Sequence, residues 1–364
     1  MAKIAIIGSE HMGESLPTCF EQMGNVIVPP EECDVCWIAI DTPVDKEGHG
    51  IVEPVLEAIK ETKAKLGIGV LVVVSSQIPV GTSKKIVKLL GKKFSYAYMP
   101  EHMRIGTGVE DFMRLTRVVI GIDDDMPKDL LREVFEGKDV EFVSVPTGEM
   151  IKHANNAFLA TSLCFIYDIA DICEAVGADV IDVSKALRSD YRIGQEAYLD
   201  ASAGFSGGHL ERDLDYLQKV AKTNKVKTPV ISAVIKKNDE RRQMVVDKLG
   251  DVDGKKIAFW GTSYKEGVPP SDDSLPSKLI RDLAIKGASF IAYDPWTELD
   301  PYQVVEGCVA IICITPWEKL KQFDFGRISE KMVGPKILFD ARNFFRDQEG
   351  SIRGGGINYI GVGR

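Results

Sequence analysis

The segment KIAIIGSEHMG, residues 3–13, indicates how the first part of the chain folds. An apolar run ends at Gly8 and a second glycine follows at Gly13, which is the spacing of the first and last glycines in a GxGxxG turn from a strand into a helix. Similar apolar runs, separated by amphipathic stretches, recur at residues 35–40, 69–74, 118–122 and 140–145. Such runs are typical of parallel strands covered on both faces, and they predict a doubly wound α/β sheet.

A different pattern begins near residue 147. Residues 149–187 contain no proline and carry apolar side chains at helical spacing, which predicts one long helix. After a loop rich in Gly and Ser at 201–208, the helical pattern continues to about residue 249. Strand-like runs then return at residues 256–261, 289–294, 309–315 and 336–340. The chain is therefore predicted to form two Rossmann-like parallel-sheet α/β domains joined by a central helical segment, with boundaries at residues 1–146, 147–234 and 235–364.

The composition disfavours several classes of protein. The 364 residues carry a formal net charge of −9, which argues against nucleic acid and against an anionic membrane surface as partners. No apolar run approaches the roughly 20 residues that span a bilayer, and the N-terminus leads directly into a strand-like run, so we expect no signal peptide. The seven cysteines indicate reduced thiols in the cytoplasm, and Cys33 and Cys36 suit buried packing better than a metal site.

Five segments carry a family resemblance. They are SSQIPVGT at 75–82, MPEHMRIG at 99–106, KHANNAFLAT at 152–161, DYRIG leading to GFSGGHLERD at 190–213, and GTSYK at 261–265 with DARN at 340–343. In this order they resemble the UDP-glucose/GDP-mannose dehydrogenase family over most of the chain. The resemblance implies a cytoplasmic homodimer that uses NAD to oxidise the C6 alcohol of a UDP-sugar or other NDP-sugar, for polysaccharide biosynthesis. In such enzymes the second oxidation passes through an aldehyde held by a cysteine as a thiohemiacetal.

The resemblance also assigns catalytic roles, residue by residue. Lys152 and Asn156 take the oxyanion-stabilising positions, and their i, i+4 spacing places them on one face of a helix. Asp213 matches the carboxylate that orients a water or base, and Glu101 matches the glutamate that assists hydrolysis. Without the resemblance, each of these side chains would be interpreted as an ordinary solvated group.

Further positions are assigned to ligand binding. By resemblance, Lys265 and Arg342 contact the nucleotide diphosphate, and Arg192 reaches into the site of a neighbouring subunit. A planar guanidinium suits paired phosphate oxygens, although a surface salt bridge is the alternative interpretation for Arg192. Gly207 belongs to the glycine-rich loop at the sugar nucleotide. The residues assigned to NAD are Gly8, Gly13, Thr42, Pro43 and Ser76.

The nucleophile position departs from the family. His209 stands where the family has cysteine, and an imidazole cannot hold an aldehyde as a thiohemiacetal. Two interpretations remain open: His209 acts as a base toward the alcohol or a hydrating water, or it only fills the space of the lost cysteine. In addition, Gln77 replaces a family threonine and Arg212 replaces a family lysine.

The cofactor side departs as well. Glu10 takes the place of the middle glycine of the turn, where a carboxylate would crowd and repel a pyrophosphate, so we expect weakened NAD binding. The chain passes from residues 26–28 directly into residues 34–40, and a block of several tens of residues is absent compared with the family. Glu31 and Glu32, in the connection, are either ribose ligands or solvated turn acids.

Three functions remain open on these observations. The first is an NAD-dependent oxidoreductase acting on the C6 alcohol of an NDP-hexose, with an altered or incomplete second oxidation. The second is a pseudoenzyme that binds a sugar nucleotide with little redox turnover. The third is a 6-phosphogluconate-type 3-hydroxyacid dehydrogenase, and the whole-length resemblance counts against it.

Overall fold

The computed structural model describes residues 1–8, 10–43, 51–100, 103, 106–125, 127–206, 209–263, 266, 272, 274–295, 297 and 299–364, with the backbone only at residues 10 and 11. Glu101, Gly207 and Lys265 lie outside the described residues, as does the side chain of Glu10. The strands are β1 (Lys3–Gly8), β2 (Val26–Ile27), β3 (Val35–Ala39), β4 (Leu71–Val74), β5 (Ser95–Tyr98), β6 (Arg117–Ile122), β7 (Asp139–Val143), β8 (Lys256–Trp260), β9 (Ser289–Tyr293), β10 (Ala310–Cys313), β11 (Ile337–Asp340) and β12 (Asn358–Ile360).

Helices alternate with these strands. They are α1 (Glu10–Gln22), α2 (Glu53–Lys63), α3 (Thr82–Leu90), α4 (Gly108–Met113), α5 (Lys128–Val134), α6 (Val145–Val176), α7 (Val180–Ser189), α8 (His209–Thr223), α9 (Pro229–Leu249), α10 (Leu275–Ile285), α11 (Pro301–Val304), α12 (Phe325–Lys331) and α13 (Glu349–Gly354). Short 3₁₀ turns occur at Pro30–Glu32, Glu318–Gln322 and Arg346–Gln348. Among the helices of the described part of the chain, none is long and apolar enough to cross a membrane.

The first sheet has the order β2-β1-β3-β4-β5-β6-β7 and is parallel except between β5 and β6. Its central strands are buried on both faces, as their apolar sequences predict. On β3, Trp37 packs into one apolar cluster while Cys36 and Ile38 pack into another. Successive side chains of a strand point to opposite faces, so the two clusters are the helix layers on either side of the sheet.

The strand order reverses between β1 and β3, and β2 is unusually short. β2 pairs only with the first residues of β1, with Ile27 opposite Ile4, whereas β3 follows β1 as far as Gly8. At about 3.3 Å per residue, β2 therefore ends roughly 13 Å before the carboxyl edge of β1. The chain then returns to the start of β1, where the Asp34 backbone N–H donates to the Lys3 carbonyl oxygen.

The second sheet has the order β12-β11-β10-β8-β9, and all of its strand pairs are parallel. Its core is built around the fully buried ring of Trp260, which lies edge-on to Phe345 at 6.2 Å between ring centroids. The predicted fold class, two parallel-sheet α/β regions joined by helices, is confirmed. The sequence patterns did not predict β5 and β12.

The predicted single helix over residues 149–187 is wrong. α6 ends at Val176 because Gly177 adopts a φ of +73°, and α7 then begins at Val180. The Asp179 carboxylate accepts from the Ile181 backbone N–H and caps this second helix. A second break separates α8 from α9, which starts with a proline at Pro229.

Residues divide into two compact units. Unit 1 contains Met1–Ala157 and Arg212–Lys227, and unit 2 contains Phe158–Glu211 and Thr228–Arg364. Both α6 and α8 therefore contribute residues to each unit. The three-part division at residues 146 and 234 remains a prediction.

Candidate functional site

The turn between β1 and α1, in unit 1, is closely packed. A β-carbon built at Gly13 would lie 2.4 Å from the carbonyl carbon of Gly8, and one built at Gly8 would lie 2.6 Å from the carbonyl oxygen of Ala39. Neither position can hold a larger side chain, so the first turn of α1 rests directly on the end of β1. Such a close approach of helix and strand is what a dinucleotide-binding turn requires.

The loops after β3 and β4 are tied together at the same edge of the sheet. The Thr42 hydroxyl donates to the Gln77 carbonyl oxygen, and the Ser76 hydroxyl accepts from the Ile40 backbone N–H, each at 2.9 Å. Both hydroxyls belong to buried residues, whereas Pro43 is exposed. The side chains of Thr42 and Ser76 therefore build the edge itself and leave Pro43 at its surface.

A buried arginine connects these loops to α8. Arg212 donates through its two terminal nitrogens to the Thr42 carbonyl oxygen and to the Gln77 side-chain oxygen. Burial lowers the pKa of Arg212, and the nearby Tyr216 and Asp213 oppose this effect. Two positions that depart from the resembled family, Gln77 and Arg212, thus contact each other.

Three of the predicted catalytic residues lie together in unit 1. The Asn156 side-chain nitrogen donates to Oδ2 of Asp213 at 2.5 Å. Lys152 is one turn earlier on α6, is 9% exposed, and lies near enough to Asp213 to lower the pKa of that carboxyl. Asp213 itself is fully buried. The structure therefore brings the ammonium, the amide and the carboxylate into one cluster.

His153 completes this cluster, although the sequence did not identify it. Its Nδ1 lies 2.7 Å from Oδ1 of Asp213, and its Nε2 lies 2.8 Å from the Ile78 carbonyl oxygen. The Tyr216 ring meets the imidazole edge-on, at 5.5 Å between ring centroids. Burial acts to raise the pKa of Asp213, but His153, Gln77 and Lys152 together hold it below its ordinary value.

Glu149 anchors the start of α6, and it too was missed. Its buried carboxylate accepts from the backbone N–H groups of Gly81 at 2.6 Å and Ser83 at 2.9 Å, and from the Ser83 hydroxyl at 2.6 Å. A carboxylate here satisfies the free N–H groups at the start of α3. Lys152 and His153 follow Glu149 within one helical turn. The contacts of Glu149 with the start of α3 therefore help to fix where these two side chains lie relative to Ile78.

The residues present fit the pyrophosphate end of NAD better than the adenosine ribose. The packed glycine turn and the reversal point beside it match the place where dinucleotides bind in open α/β sheets. The ribose normally meets an acid at the carboxyl end of the second strand, but β2 stops well short of that edge. Glu31 and Glu32 lie on a turn that leaves and rejoins the sheet beside Lys3 and Ile4.

Unit 2 contains a cavity of about 530 Å³. The residues that carry its polar lining include Tyr167, Ser202, Ser206, His209, Ser263 and Arg342. His209 and Arg342, both predicted site residues, are exposed on this cavity. A volume of this size suits a ligand larger than a metabolite of a few atoms.

The loop after β11 presents Arg342. The buried Asp340 carboxylate accepts from the backbone N–H groups of Arg342 at 3.1 Å and Phe345 at 2.7 Å, and from the Tyr359 hydroxyl at 2.9 Å. Burial raises the pKa of Asp340, while these donors act against that rise. The Arg342 guanidinium has no acceptor among the residues that the structure describes, so it remains available to an anion.

The glycine-rich loop is shaped by α9. Asn238 pairs with the backbone of Phe205 like a neighbouring strand, accepting from its N–H at 2.8 Å and donating to its carbonyl oxygen at 2.9 Å. Gly204 has a φ of +115°, and a β-carbon there would lie 3.1 Å from the Asn238 side-chain oxygen. Only glycine suits both the conformation and the space.

Arg241 supports the floor of the cavity. It donates to the Ser202 carbonyl oxygen at 3.0 Å, pairs with Asp171, and lies 5.1 Å from the centre of the Tyr167 ring. The Tyr167 hydroxyl lies 3.0 Å from the Ser202 hydroxyl, which in turn donates to the Gly204 carbonyl oxygen. Arg241 belongs to a highly charged segment, residues 235–242, and such a segment does not predict a buried side chain.

Ser263 differs from its polar neighbours. Its side chain is fully buried, and its hydroxyl has no hydrogen-bond partner in the part of the chain that the structure describes. Its backbone carbonyl accepts from the Thr315 hydroxyl at 2.5 Å, so its position is fixed. A buried hydroxyl without a partner is costly and calls for an explanation, and a ligand in the cavity would provide one.

Arg192 does not line this cavity. Its guanidinium is 73% exposed and forms a paired contact with the Asp190 carboxylate, at 3.0 and 2.6 Å. On α6, an exposed apolar strip is formed by Phe158, Phe165, Ile172 and Val176. Their spacing places them on one face of the helix.

Three family models match the chain. Residues 25–139 match the NAD binding domain of the UDP-glucose/GDP-mannose dehydrogenase family, residues 146–240 match its central domain, and residues 258–347 match its UDP binding domain. The β1–α1 turn lies before the first matched range.

Curated relatives match nearly the whole chain. A UDP-glucose 6-dehydrogenase of Rickettsia bellii (strain RML369-C) is 31% identical over 358 residues, which cover 91% of this chain and 82% of that protein. A UDP-glucose 6-dehydrogenase of Rhizobium meliloti (strain 1021) is 32% identical over 362 residues, with the same coverage of 91% and 82%.

Solved structures show the same fold. A UDP-glucose dehydrogenase from the archaeon Pyrobaculum islandicum superposes with a TM-score of 0.83 at 22% identity, covering 96% of each chain. A UDP-D-ManNAc dehydrogenase from Pyrococcus horikoshii gives a TM-score of 0.85 at 19% identity, covering 100% of this chain and 99% of the other.

Proposed function

The chain belongs to the UDP-glucose/GDP-mannose dehydrogenase family, and from that premise we propose that it oxidises the C6 alcohol of an NDP-hexose with NAD as cofactor. The observation that carries the proposal is the cluster of Lys152, Asn156 and Asp213 in unit 1. These positions match the oxyanion-stabilising and orienting residues of the family. Their side chains supply the charge and the N–H donors that oxidation of an alcohol needs.

The proposed chemistry assigns one task to each group. The Lys152 ammonium and the free N–H of the Asn156 amide stabilise the alkoxide that develops on the C6 oxygen. Bound NAD supplies the hydride acceptor, and the turn of Gly8 and Gly13 holds its pyrophosphate. Arg342 binds the diphosphate of the sugar nucleotide, for which its guanidinium has the matching geometry. Lys265, outside the described residues, is assigned to the same diphosphate.

The second oxidation is proposed to be altered or incomplete. His209 offers no thiolate, so the aldehyde cannot be held covalently as in the family. If the reaction stops at the aldehyde, one NADH forms for each sugar nucleotide. If His209 activates a hydrating water, two form and His209→Ala reduces the second step. The ratio of NADH to sugar nucleotide consumed separates these two outcomes.

The primary test is turnover by the purified full chain. NADH absorbance is followed with a panel of NDP-hexoses, for the parent protein, Lys152→Met and the control Lys219→Met. Lys219 lies on α8, its side chain is about half exposed, and its ammonium lies 2.8 Å from Oδ2 of Asp215. We expect Lys152→Met to lower kcat by about 100-fold or more and the control to retain the parent rate. Equal rates in the two variants would contradict the assigned role of Lys152.

A pseudoenzyme is the second candidate, and the short β2 favours it. β2 ends short of the carboxyl edge, so among the described residues it presents no acid there to anchor the cofactor ribose. Calorimetry with NDP-sugars and, separately, with NAD distinguishes the candidates. Binding of a sugar nucleotide without binding of NAD and without NADH production would support the pseudoenzyme and overturn the dehydrogenase.

A homodimer is also proposed. The apolar strip of Phe158, Phe165, Ile172 and Val176 gives α6 a face suited to a second copy of the chain. In that arrangement Arg192 would act on the partner's sugar nucleotide. Light scattering of the parent protein and of Phe165→Asp tests this proposal, and a monomeric parent at micromolar concentration would contradict it. A cytoplasmic location remains an expectation from the cysteines, and a part in polysaccharide biosynthesis remains one from the resemblance.

A further inference from the structure

We infer that His153 is a positioning residue of the unit 1 cluster. It holds Asp213 as a carboxylate, and through Asp213 it fixes the direction of the Asn156 amide. This inference rests on the proposed function, because Asn156 is taken to face the reacting oxygen. It gives a role to a residue of the segment 152–161 to which the resemblance assigned none. It also changes the part taken by Asp213, from a group acting on substrate or water to the link between His153 and Asn156.

The proton count follows from the two contacts of the imidazole. A backbone carbonyl can only accept, so Nε2 of His153 must carry a proton toward Ile78. The 2.7 Å contact between Nδ1 and Oδ1 of Asp213 holds a second proton. If Asp213 is ionised, this proton lies on Nδ1 and His153 is an imidazolium. If it lies on Asp213, the pair is neutral histidine and carboxylic acid.

The surroundings favour the ion pair. Lys152 on α6 and Arg212 on α8 both lie near Asp213 and stabilise its negative charge. The Gln77 side chain and the Asn156 amide also donate to it. On the His153 side, the ring of Tyr216 packs edge-on and the Ile78 carbonyl oxygen accepts. The pKa of Asp213 is accordingly held below its usual range, despite its burial.

Burial decides how the pair acts. Asp213 and His153 are both 0% exposed, so neither reaches a substrate. Asn156 is the member at the border, and its amide is fixed because one N–H donates to Oδ2 of Asp213. The second N–H of the same nitrogen is then directed away from Asp213, where it can donate to a developing oxyanion.

The kinetic test compares two substitutions of His153 with a control. His153→Leu removes both donors, whereas His153→Asn keeps an N–H near the place of Nδ1. The control is Asn25→Leu, which removes buried contacts to the Val134 and Phe20 carbonyl oxygens elsewhere in unit 1. We expect kcat to fall about 100-fold in His153→Leu and about 10-fold in His153→Asn, with the KM for the sugar nucleotide changing less than about 3-fold. Asn25→Leu should keep the parent kcat.

The pH profile separates positioning from simple loss of structure. In His153→Leu the burial of Asp213 is no longer opposed by the imidazolium, so Asp213 protonates at higher pH. The acid limb of kcat should move upward by at least about one pH unit, and remain in place in Asn25→Leu. An active His153→Leu with unchanged kcat and an unchanged acid limb would overturn the inference.

A readout without turnover is available from the histidine nitrogens. The chain has five histidines, and selective ¹⁵N labelling of the full chain reports the protonation of each ring. We expect one ring whose Nδ1 carries a proton donated to the Asp213 carboxylate, seen as a far-downfield proton coupled to that nitrogen, and this signal should vanish in His153→Asn. The absence of such a signal from the parent protein would overturn the inference whatever the activity. A protein with this signal but without turnover would instead contradict the proposed function.

Discussion

The cluster in unit 1 and the cavity in unit 2 differ in how their polar side chains are hydrogen-bonded. In unit 1 the carboxylates of Glu149 and Asp213 are buried and each receives several hydrogen bonds from the chain itself. In unit 2 the Ser263 hydroxyl and the Arg342 guanidinium have no acceptor or donor within the described residues. The two carboxylates of unit 1 are satisfied by the chain itself, whereas the hydroxyl and the guanidinium of unit 2 could gain their hydrogen bonds from a ligand.

This difference separates two contributions to catalysis. Groups that are already oriented need no reorganisation when charge develops, which is the larger source of rate enhancement. Groups that wait for a partner gain their hydrogen bonds only on binding, and they contribute to affinity. We therefore expect substitutions in unit 1 to change stability and kcat, and substitutions in the cavity of unit 2 to change ligand affinity.

The largest expected effect is on the stability of unit 1. Asp213→Leu leaves the buried His153 without its carboxylate partner, and we expect the free energy of unfolding to fall by about 3–5 kcal/mol. The control is Asp129→Leu on α5 of the same unit, whose side chain is 95% exposed and pairs with Arg132, with an expected loss below about 1 kcal/mol. Urea unfolding followed by circular dichroism measures both. Similar losses in the two variants would show that the buried carboxylate of unit 1 stabilises the fold no more than an exposed ion pair does.

The next effect concerns the cavity. Arg342→Met should weaken binding of an NDP-sugar about 10- to 100-fold, because a charge-assisted contact to the diphosphate is lost. The unfolding midpoint should stay unchanged, since the guanidinium contacts no acceptor that the structure describes. Calorimetry measures the affinity, with Arg353→Met as the control, because Arg353 pairs with Glu349 outside the cavity. If Arg342→Met lowered the stability without lowering the affinity, the cavity of unit 2 would behave as we expect of the cluster in unit 1.

Acid should act on unit 1 through Asp213. Its pKa in the folded protein is lowered, so the stability it contributes is fully present above the unfolded value of about 3.9 and is lost as the pH falls through the folded value. The difference in stability between the parent protein and Asp213→Asn should therefore shrink as the pH falls below about 4, because the carboxylate of the parent protein is then protonated. Unfolding midpoints below pH 5 measure this difference. A difference that stays unchanged as the pH falls below about 4 would show that the charge of Asp213 contributes no stability.

The smallest effect, at Ser263, has opposite signs in the free and bound protein. Ser263→Ala removes an unpaired buried hydroxyl, so the ligand-free protein should gain up to about 1 kcal/mol in stability. The affinity for an NDP-sugar should fall about 3- to 10-fold, because the hydroxyl donates only to the ligand. Thermal unfolding and calorimetry test the two signs. A destabilised ligand-free protein would mean that Ser263 belongs with the satisfied groups.

Much of the fold could be predicted because its strands are covered on both faces. The runs at β3 and β4 are continuously apolar, and both are fully buried. In contrast, β5 reads SYAY and β12 reads NYI, and such short mixed runs resemble loops. The end of α6 at Gly177 was also missed, because apolar residues keep a helical spacing on both sides of the break.

The residues of the candidate site also divide into those that the sequence could predict and those that it could not. Lys152, Asn156 and Asp213 were found through motifs, and these motifs are local in sequence. His153 was missed because its partners are 60 and 75 residues away, and a histidine inside a polar helical segment gives no sign of burial. Gln77 and Arg212 are 135 residues apart. Each was noticed as a departure from the family, but only the structure relates the two.

The division of α8 between the units has a consequence for synthesis of the chain. Unit 1 needs residues 212–227, which the ribosome makes only after residues 158–211 of unit 2. His153 emerges 60 residues before Asp213, and at about 5–20 residues per second this interval lasts roughly 3–12 s. During that time the segment with His153 has been made, whereas the carboxylate that pairs with it has not. Unit 1 therefore cannot be completed on the ribosome until residues of unit 2 have been synthesised, so its last helix is added after a delay.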